Sequence, residues 1–91
     1  MNINTEPSTP LVSIIIRTKN EERWIDHCLS AIATQSIQDY EIILVDNNSD
    51  DNSVQIAKKY TDKIINVAQF YPGKAINEGI RASTGKFVVI I

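Results

Sequence analysis

The sequence predicts an α/β protein in which a parallel four-stranded sheet carries helices on both faces, with the element order βαβαβαβ. Apolar runs rich in β-branched residues, at 11–16, 42–45 and 87–91, are typical of strands buried on both faces. Apolar residues at helical spacing lie between these runs, and glycine, proline or polar clusters separate the segments. Short connections of this kind favour right-handed crossovers and therefore a parallel sheet.

The two ends of the chain differ in character. Residues 1–10 are polar and contain two prolines, so we expect a flexible leader before a domain at 11–91. The chain stops inside the apolar run 87–91, and because termini are usually polar and frayed, we expect a truncated chain. The longest apolar run is too short to span a bilayer, and no signal-peptide pattern opens the sequence.

The first strand, 11–16, leads into the polar loop R-T-K-N-E-E and then into a helix at about 22–34. Asn20 or Thr18 is expected to cap this helix, and the two glutamates of its first turn suit the helix dipole. His27 lies off the apolar stripe and is therefore predicted to be a solvated surface histidine. The stripe itself comprises Trp24, Ile25, Cys28, Leu29 and Ile32.

The second strand, 42–45, ends abruptly at Asp46, and only polar residues follow as far as Val54. An acidic residue at the carboxyl end of a buried strand, followed by a helix start, is a frequent ligand site in an open α/β sheet. Residues 49–52 are more simply explained as a turn that caps the next helix. Asp46 is badly placed to cap that helix, which favours a role in ligand binding.

The rest of the chain is predicted to form two further helices and two strands, with two glycines in or beside the second of these helices. Gly79 lies within a predicted helix, where it costs about 1 kcal/mol relative to alanine, and this indicates close packing against the sheet. Gly85 follows the same helix and is expected to adopt the left-handed conformation that ends many helices. The predicted elements are helices at about 52–60 and 74–83, a short strand at 63–66 and a fourth strand at 86–91.

Composition and motifs exclude several classes of function. The net charge of −2 provides no basic surface for nucleic acid, and the single cysteine, Cys28, allows no internal disulfide. The loop after the first strand contains neither the P-loop pattern nor G-x-G-x-x-G, which argues against a Walker-type NTPase and a classical NAD enzyme. One histidine and one cysteine cannot form a zinc site, and no Ser-His-Asp arrangement has credible spacing.

Polar side chains cluster at the carboxyl ends of two predicted neighbouring strands. Thr18, Asn20 and Glu21 follow the first strand, and Asp46 and Asn47 follow the second. A carboxylate beside an amide can hydrogen bond to the edge of a base, and a glutamate can accept from a ribose hydroxyl. These groups predict a nucleoside pocket without a glycine-rich phosphate cradle, in which a divalent metal is the simplest way to hold a diphosphate.

Three motifs in order then resemble a known family. They are V-S-I-I-I-R-T-K-N-E-E-R-W-I, L-S-A-I-A-T-Q-S-I-Q-D-Y-E-I-I-L-V-D-N-N-S-D-D-N-S and G-K-A-I-N-E-G-I-R-A-S-T-G-K-F-V-V-I. Together they cover residues 12–91 and resemble the N-terminal half of a family 2 glycosyltransferase with the GT-A fold. The resemblance implies a strand order of 3-2-1-4. It also implies transfer of a sugar from a nucleotide-sugar donor, usually UDP-linked, with inversion at the anomeric carbon.

The resemblance assigns roles to individual positions. Thr18 and Glu21 match the loop that lies against the nucleoside. Asp46 and Asn47 match the acidic pair that reads the base and the ribose, although many relatives have aspartate where this chain has Asn47.

Further positions match or depart from the family pattern. Lys74 and Asn77 lie where the third helix begins, near the nucleotide side of the family's pocket. Lys74 is placed to meet a phosphate or else to be a solvated lysine at the helix start. Arg17 stands where proline is common, and Lys19 where tyrosine often occurs.

The resemblance also implies which parts of the enzyme are absent. The Asp-x-Asp motif that binds metal and diphosphate, and the acidic catalytic base, are expected beyond Ile91. We therefore expect no catalytic and no metal-binding residue within this chain, and no metal bound by it alone, although a longer parent needs Mg²⁺ or Mn²⁺. The parent's acceptor is expected to be a glycan or a lipid-linked molecule, and its location the cytoplasm, at the inner face of the membrane. Strand 86–91 is expected near an exposed edge and is a candidate for self-association.

Two other hypotheses remain open at this point. The chain is alternatively a small non-catalytic α/β module, flavodoxin-like or receiver-like, with Asp46 as a phosphoacceptor. Against this, its first loop lacks the acidic pair with which a receiver binds its metal. A third hypothesis is a family member that has lost catalysis and kept binding.

Overall fold

The computed structural model describes residues 10–36, 38–67 and 72–91, with side chains for all of these except 72–75. The predicted leader at 1–10 therefore lies, apart from Pro10, outside the described residues. The predicted order βαβαβαβ is confirmed. The elements are β1 (Val12–Thr18), α1 (Ile25–Ala33), β2 (Tyr40–Asp46), α2 (Ser53–Ala57), β3 (Ile64–Asn66), α3 (Pro72–Ala82) and β4 (Phe87–Ile90).

The four strands form one parallel sheet in the order β3-β2-β1-β4, which confirms the predicted fold class. β1 pairs with β2 over its whole length, from Val12 opposite Tyr40 to Thr18 opposite Asp46. On its other side β1 pairs with β4. Because β1 and β2 are parallel and in register to their last residues, their carboxyl ends lie side by side at one edge of the sheet.

Alternate residues of β1 and β2 pack against helices on opposite faces of the sheet. On one face, Ile16 and Leu44 form a core with Ile25 and Leu29 of α1 and Ala57 of α2. The core of the other face comprises Ile15, Ile43, Val45 and Val67, against which Ala82 of α3 packs. Burial on both faces explains why these strands contain consecutive apolar residues instead of an alternating pattern.

The two predicted roles for glycine have different outcomes. A Cβ on Gly79 would lie 2.6 Å from Cγ2 of Ile15, so the predicted close packing of α3 against the sheet is confirmed. The left-handed conformation predicted for Gly85 is wrong, because none of the glycines that the structure describes has a positive φ. Gly85 is instead required by proximity, since its Cβ would lie 2.6 Å from the backbone nitrogen of Ser13.

The first helix begins later than predicted and without the expected caps. Its N-cap is Trp24, which makes no side-chain capping bond, and the carbonyl of Glu21 accepts from the N–H groups of Trp24 and Ile25 at 2.9 and 2.8 Å. Thr18 cannot cap because it is the last residue of β1. Asn20 does not cap because its side chain binds a neighbouring loop.

At the opposite end of the sheet, the carboxylate of Glu41 joins several elements. It accepts from the Thr84 N–H at 2.6 Å and the Thr84 hydroxyl at 3.0 Å, as well as from the Ser13 hydroxyl and the Lys63 ammonium. Burial acts to raise the pKa of Glu41, but the hydrogen bonds from Lys63, Ser13 and Thr84 outweigh it and lower the pKa from 4.5 to about 2. We refer to Ser13, Glu41, Lys63 and Thr84 as the Glu41 cluster.

Across the described ranges, no helix combines the length and the apolar character needed to cross a membrane.

Candidate functional site

The candidate site lies where β1 and β2 end. The pairing of Thr18 with Asp46 is continued by a hydrogen bond of 2.8 Å from the Asn47 N–H to the Thr18 carbonyl. Two loops leave the sheet from this point, the β1 loop at 19–24 and the β2 loop at 47–52. They run beside one another and are joined by further hydrogen bonds, so we call residues 18–24 and 46–53 together the two-loop unit.

Asp46 is buried at this edge of the sheet, and only 1% of the residue is exposed to solvent. The Ser49 N–H donates to Oδ2 of Asp46 at 2.9 Å, and the Ser49 hydroxyl donates to Oδ1 at 2.6 Å. A buried carboxylate requires such partners, and a serine three residues further along the turn is near enough to supply them. Both oxygens of the Asp46 carboxylate therefore accept hydrogen bonds within its own loop. The predicted ligand-binding role of Asp46 stays a prediction.

Residues near the tips of the two loops bind one another. The Asn20 N–H donates to the Ser49 hydroxyl at 2.9 Å, and the Asp50 N–H donates to Oδ1 of Asn20 at 2.7 Å. The Lys19 ammonium donates to the carbonyl of Asn48 at 3.0 Å. Asn20 and Asn48 both have φ of 52°, a left-handed conformation that asparagine tolerates better than most residues.

A second set of bonds joins the bases of the two loops. The Glu21 N–H donates to the Ser53 hydroxyl at 2.8 Å, and the Glu22 N–H donates to Oδ2 of Asp51 at 3.1 Å. In return, the Asn52 N–H donates to Oε2 of Glu22 at 3.2 Å. Desolvation acts to raise the pKa of Asp51, but hydrogen bonds from Ser53 and Glu22 outweigh it, and this pKa lies below its ordinary value.

Thr18 differs from its neighbours because its hydroxyl has no partner. The residue is 3% exposed, and its Oγ1 makes no hydrogen bond within the described part of the chain. It lines an apolar recess of about 180 Å³ and an adjoining, more polar recess of about 200 Å³. Both recesses are also lined by Arg17, Glu21 and Ile91. Buried hydroxyls are nearly always hydrogen bonded, so an unpaired one beside a recess marks a place where a polar ligand atom fits.

The structure brings five of the seven predicted site residues together, namely Thr18, Asn20, Glu21, Asp46 and Asn47. Asn77 lies exposed on α3, and no hydrogen bond from its side chain to the two-loop unit is found among the described residues. The side chain of Lys74 lies outside the described residues.

Sequence reasoning missed the serines that organise this site. Ser49 and Ser53 were interpreted only as part of a turn and a helix start, although each binds the opposite loop. The spacing of Ser49 three residues after Asp46 was a usable signal, since aspartate and serine often bind nearby backbone groups in turns. Trp24, which lines the apolar recess, was assigned to the helix stripe and is instead largely exposed.

Within the described ranges, no three His, Cys, Asp or Glu side chains come together in a group that could hold a metal ion. His27 is exposed on α1, as predicted.

Comparison with known proteins identifies relatives. The family model described as glycosyl transferase family 2 matches residues 13–91. An uncharacterized glycosyltransferase, EpsJ of Bacillus subtilis (strain 168), is 36% identical over 84 residues, which cover 87% of this chain and 24% of that protein. The poly(ribitol-phosphate) beta-N-acetylglucosaminyltransferase TarS of Staphylococcus aureus (strain Mu50) is 32% identical over 87 residues, covering 87% of this chain and 15% of TarS. The chain thus spans about a quarter or less of these two relatives.

Solved structures show the same fold. Residues 1–349 of S. aureus TarS in complex with UDP match with a TM-score of 0.80 and 30% identity, over 88% of this chain and 26% of that one. A mannosyltransferase from Pyrobaculum calidifontis, in complex with GDP-Man and Mn²⁺, matches with a TM-score of 0.78 over 89% of this chain and 26% of that one. At 23% identity, the second match is evidence for the fold alone.

Proposed function

The chain belongs to glycosyl transferase family 2 and has its GT-A fold, and from this premise we propose that the two-loop unit is the nucleoside half of a nucleotide-sugar site. The donor is a UDP-sugar. The observation that carries the proposal is the unpartnered, buried hydroxyl of Thr18 beside the recesses at the carboxyl ends of β1 and β2. Ligands of open α/β sheets bind at this edge. The UDP bound to the structural neighbour from S. aureus supports the choice of base.

Three residues are proposed to contact the nucleoside. The Thr18 hydroxyl binds a polar atom of the ligand that enters the recess. The exposed carboxylate of Glu21 accepts from a ribose hydroxyl, and the half-buried amide of Asn47 pairs with the edge of the base. Lys74 and Asn77 are assigned to the nucleotide side of the pocket by family resemblance, where Lys74 meets a phosphate or else is a solvated lysine at the helix start. Asp46 and Asn20 also belong to the site, although their side chains are engaged within the two-loop unit.

The described residues do not fit a divalent metal, since no three acidic, histidine or cysteine side chains converge in them. By family resemblance, and because the chain spans about a quarter or less of its relatives, we assign the Mg²⁺ or Mn²⁺ of the reaction, the Asp-x-Asp motif and the catalytic base to a longer protein. That protein transfers the sugar with inversion to a glycan or lipid-linked acceptor, in the cytoplasm at the inner membrane face. The 91 residues contribute nucleotide binding and are inactive alone.

The geometry argues against the alternative of a phosphoacceptor module. A phosphoacceptor aspartate has to be reached by the phosphate donor, whereas Asp46 is buried and both of its oxygens accept from Ser49. Phosphorylation of either oxygen would disturb its hydrogen bond from Ser49 and require the buried residue to become accessible. No observation favours the second function over nucleotide binding.

An amide-resolved NMR titration with UDP, GDP and dTDP, with and without Mg²⁺, tests the proposal. Saturable shifts confined to Thr18, Glu21, Asn47 and their neighbours are expected, with UDP the tightest of the three. Binding without Mg²⁺ is expected to be as tight as binding with it, because the metal ligands are assigned elsewhere. A folded chain that responds to none of the three nucleotides refutes the proposal.

We also propose that the chain self-associates through β4. β4 is an edge strand, and its side chains are exposed on both faces, Phe87 at 62%. The run continues with Ile91, which is also exposed, and it contains no charge or proline. An unprotected apolar edge of this kind is a template for pairing with another strand.

A further inference from the structure

The role of Asp46 in the nucleotide site differs from that of a ligand contact. We infer that Asp46 and Ser49 are positioning residues, which hold the β1 and β2 loops together and so set the position of the Asn47 amide. This inference rests on the proposed function, since the site that they position is the nucleotide site.

The first argument is the burial of the Asp46 carboxylate and its two hydrogen bonds from Ser49. Oδ1 and Oδ2 each accept a hydrogen bond from Ser49, at 2.6 and 2.9 Å, and the residue is 1% exposed. Each oxygen has a second lone pair, but because the residue is buried, a base or ribose could reach it only if Ser49 moved aside. Displacement would leave the Ser49 N–H without its partner, at a cost comparable to the hydrogen bond gained.

The second argument is the continuation of these bonds into the β1 loop. The Ser49 hydroxyl donates to Asp46 and at the same time accepts from the Asn20 N–H at 2.9 Å. Asn20 then returns to the β2 loop, because its Oδ1 accepts from the Asp50 N–H at 2.7 Å. The chain of bonds therefore runs from the end of β2 through Ser49 to Asn20 and back to Asp50.

The third argument is the place of Asn47 in this arrangement. Asn47 lies between Asp46 and the left-handed Asn48, and its N–H donates to the carbonyl of Thr18. Its backbone is thus held on one side by β1 and on the other by the turn that Ser49 closes. The Asn47 side chain remains half-buried at the edge of the sheet, where it can meet a ligand.

Ser49→Ala separates a positioning role from a contact role. If Asp46 contacts the nucleotide, removing the Ser49 hydroxyl releases a carboxylate oxygen, and UDP binding stays the same or becomes tighter. If Asp46 positions the loops, Ser49→Ala removes the bond to Asp46 and the bond from Asn20 together. UDP binding then weakens by about tenfold, the change expected for losing a hydrogen bond to a charged group.

Conservative variants and a control complete the test. Ser49→Thr retains a hydroxyl and is expected to keep the UDP affinity within about twofold of wild type. Asp46→Asn is expected to weaken UDP binding as much as Ser49→Ala, with little further loss in the double variant, because both act on one chain of bonds. Ser30→Ala is the matched control, since the Ser30 hydroxyl binds the His27 carbonyl on α1, away from the site.

The measurements are a UDP titration by NMR and amide hydrogen exchange on the same samples. Exchange at Asn20 and Asp50 is expected to be slow in wild type and Ser49→Thr and fast in Ser49→Ala. Unchanged or tighter UDP binding in Ser49→Ala overturns the inference, as does unchanged exchange at these amides. If wild type binds no nucleotide, the proposed function fails, and exchange at Asn20 and Asp50 still decides whether the pair holds the loops.

Discussion

Glu41→Gln tests whether the Glu41 cluster stabilises the fold at the edge opposite the candidate site. The substitution keeps the size of the side chain and removes its charge. It also places an amide N–H₂ against donors, because Lys63, Ser13 and Thr84 all donate to this carboxylate. We expect a loss of stability at neutral pH that becomes smaller in acid.

The magnitude follows from the pKa of Glu41, which is lowered from 4.5 to about 2. A difference of this size between the unfolded and folded states corresponds to about 3 kcal/mol at pH 7. The side chain of Lys63 is 45% exposed, so solvent screens part of its contribution, and we expect about 2 kcal/mol. For a domain of this length, that loss lowers Tm by about 10 °C.

The sign of the pH dependence follows from the direction of the pKa change. Because the folded-state pKa is lowered, the stabilisation is fully present above pH 4.5 and is lost as the pH falls towards about 2. Urea unfolding of wild type and Glu41→Gln, measured between pH 7 and pH 2.5, should therefore give free energies that converge in acid.

Far-UV circular dichroism is the appropriate probe of unfolding, since Trp24 is 65% exposed and its fluorescence reports little burial. Glu78→Gln is the matched control, because Glu78 forms an ion pair of 3.6 Å with Arg81 on the surface of α3. We expect this control to change stability by less than about 0.5 kcal/mol. Equal stability of Glu41→Gln and wild type at pH 7, or a constant difference between them down to pH 2.5, would refute the reasoning.

Three further perturbations test other parts of the structure. Thr18→Val removes a hydroxyl without a partner, so the free energy of unfolding should stay within about 1 kcal/mol of wild type, while NMR titration should show UDP binding weakened about fivefold. Unchanged UDP binding would show that Thr18 does not contact the nucleotide. Gly79→Ala places a Cβ 2.6 Å from Cγ2 of Ile15 and should cost about 1–3 kcal/mol in urea unfolding, despite the better helix propensity of alanine. In an Ile15→Ala background, which lacks Cγ2, the cost of Gly79→Ala should be smaller. Val89→Lys places a charge on the exposed apolar edge strand β4. Light scattering should show a concentration-dependent dimer for wild type and a monomer for the variant, and a wild type that is monomeric at every concentration would exclude pairing through β4.

The sequence determined the layers of the fold because burial on both faces leaves a local pattern. The apolar runs of β1 and β2 were predicted as strands, and their extension to Thr18 and Asp46 changed only their ends. The close packing at Gly79 could be predicted because a glycine destabilises a helix, and close approach to a neighbouring element is a common reason for one to occur there. The motifs then identified the family, and with it the order of the strands, which alternation alone does not specify.

The tertiary structure decided the hydrogen-bond partners of individual polar groups. The sequence did not predict that Ser49 binds both oxygens of Asp46. Gly85 was predicted to be left-handed and is instead required beside Ser13. The Glu41 cluster had no sequence signal, because its partners come from strands and turns far apart in the chain. The type of a side chain determines which hydrogen bonds it can donate or accept. Its actual partner depends on which donor or acceptor the fold brings within about 3 Å. Local patterns therefore predicted a candidate site at the carboxyl ends of β1 and β2, and only the packing of the two loops decided which of its side chains are engaged in hydrogen bonds.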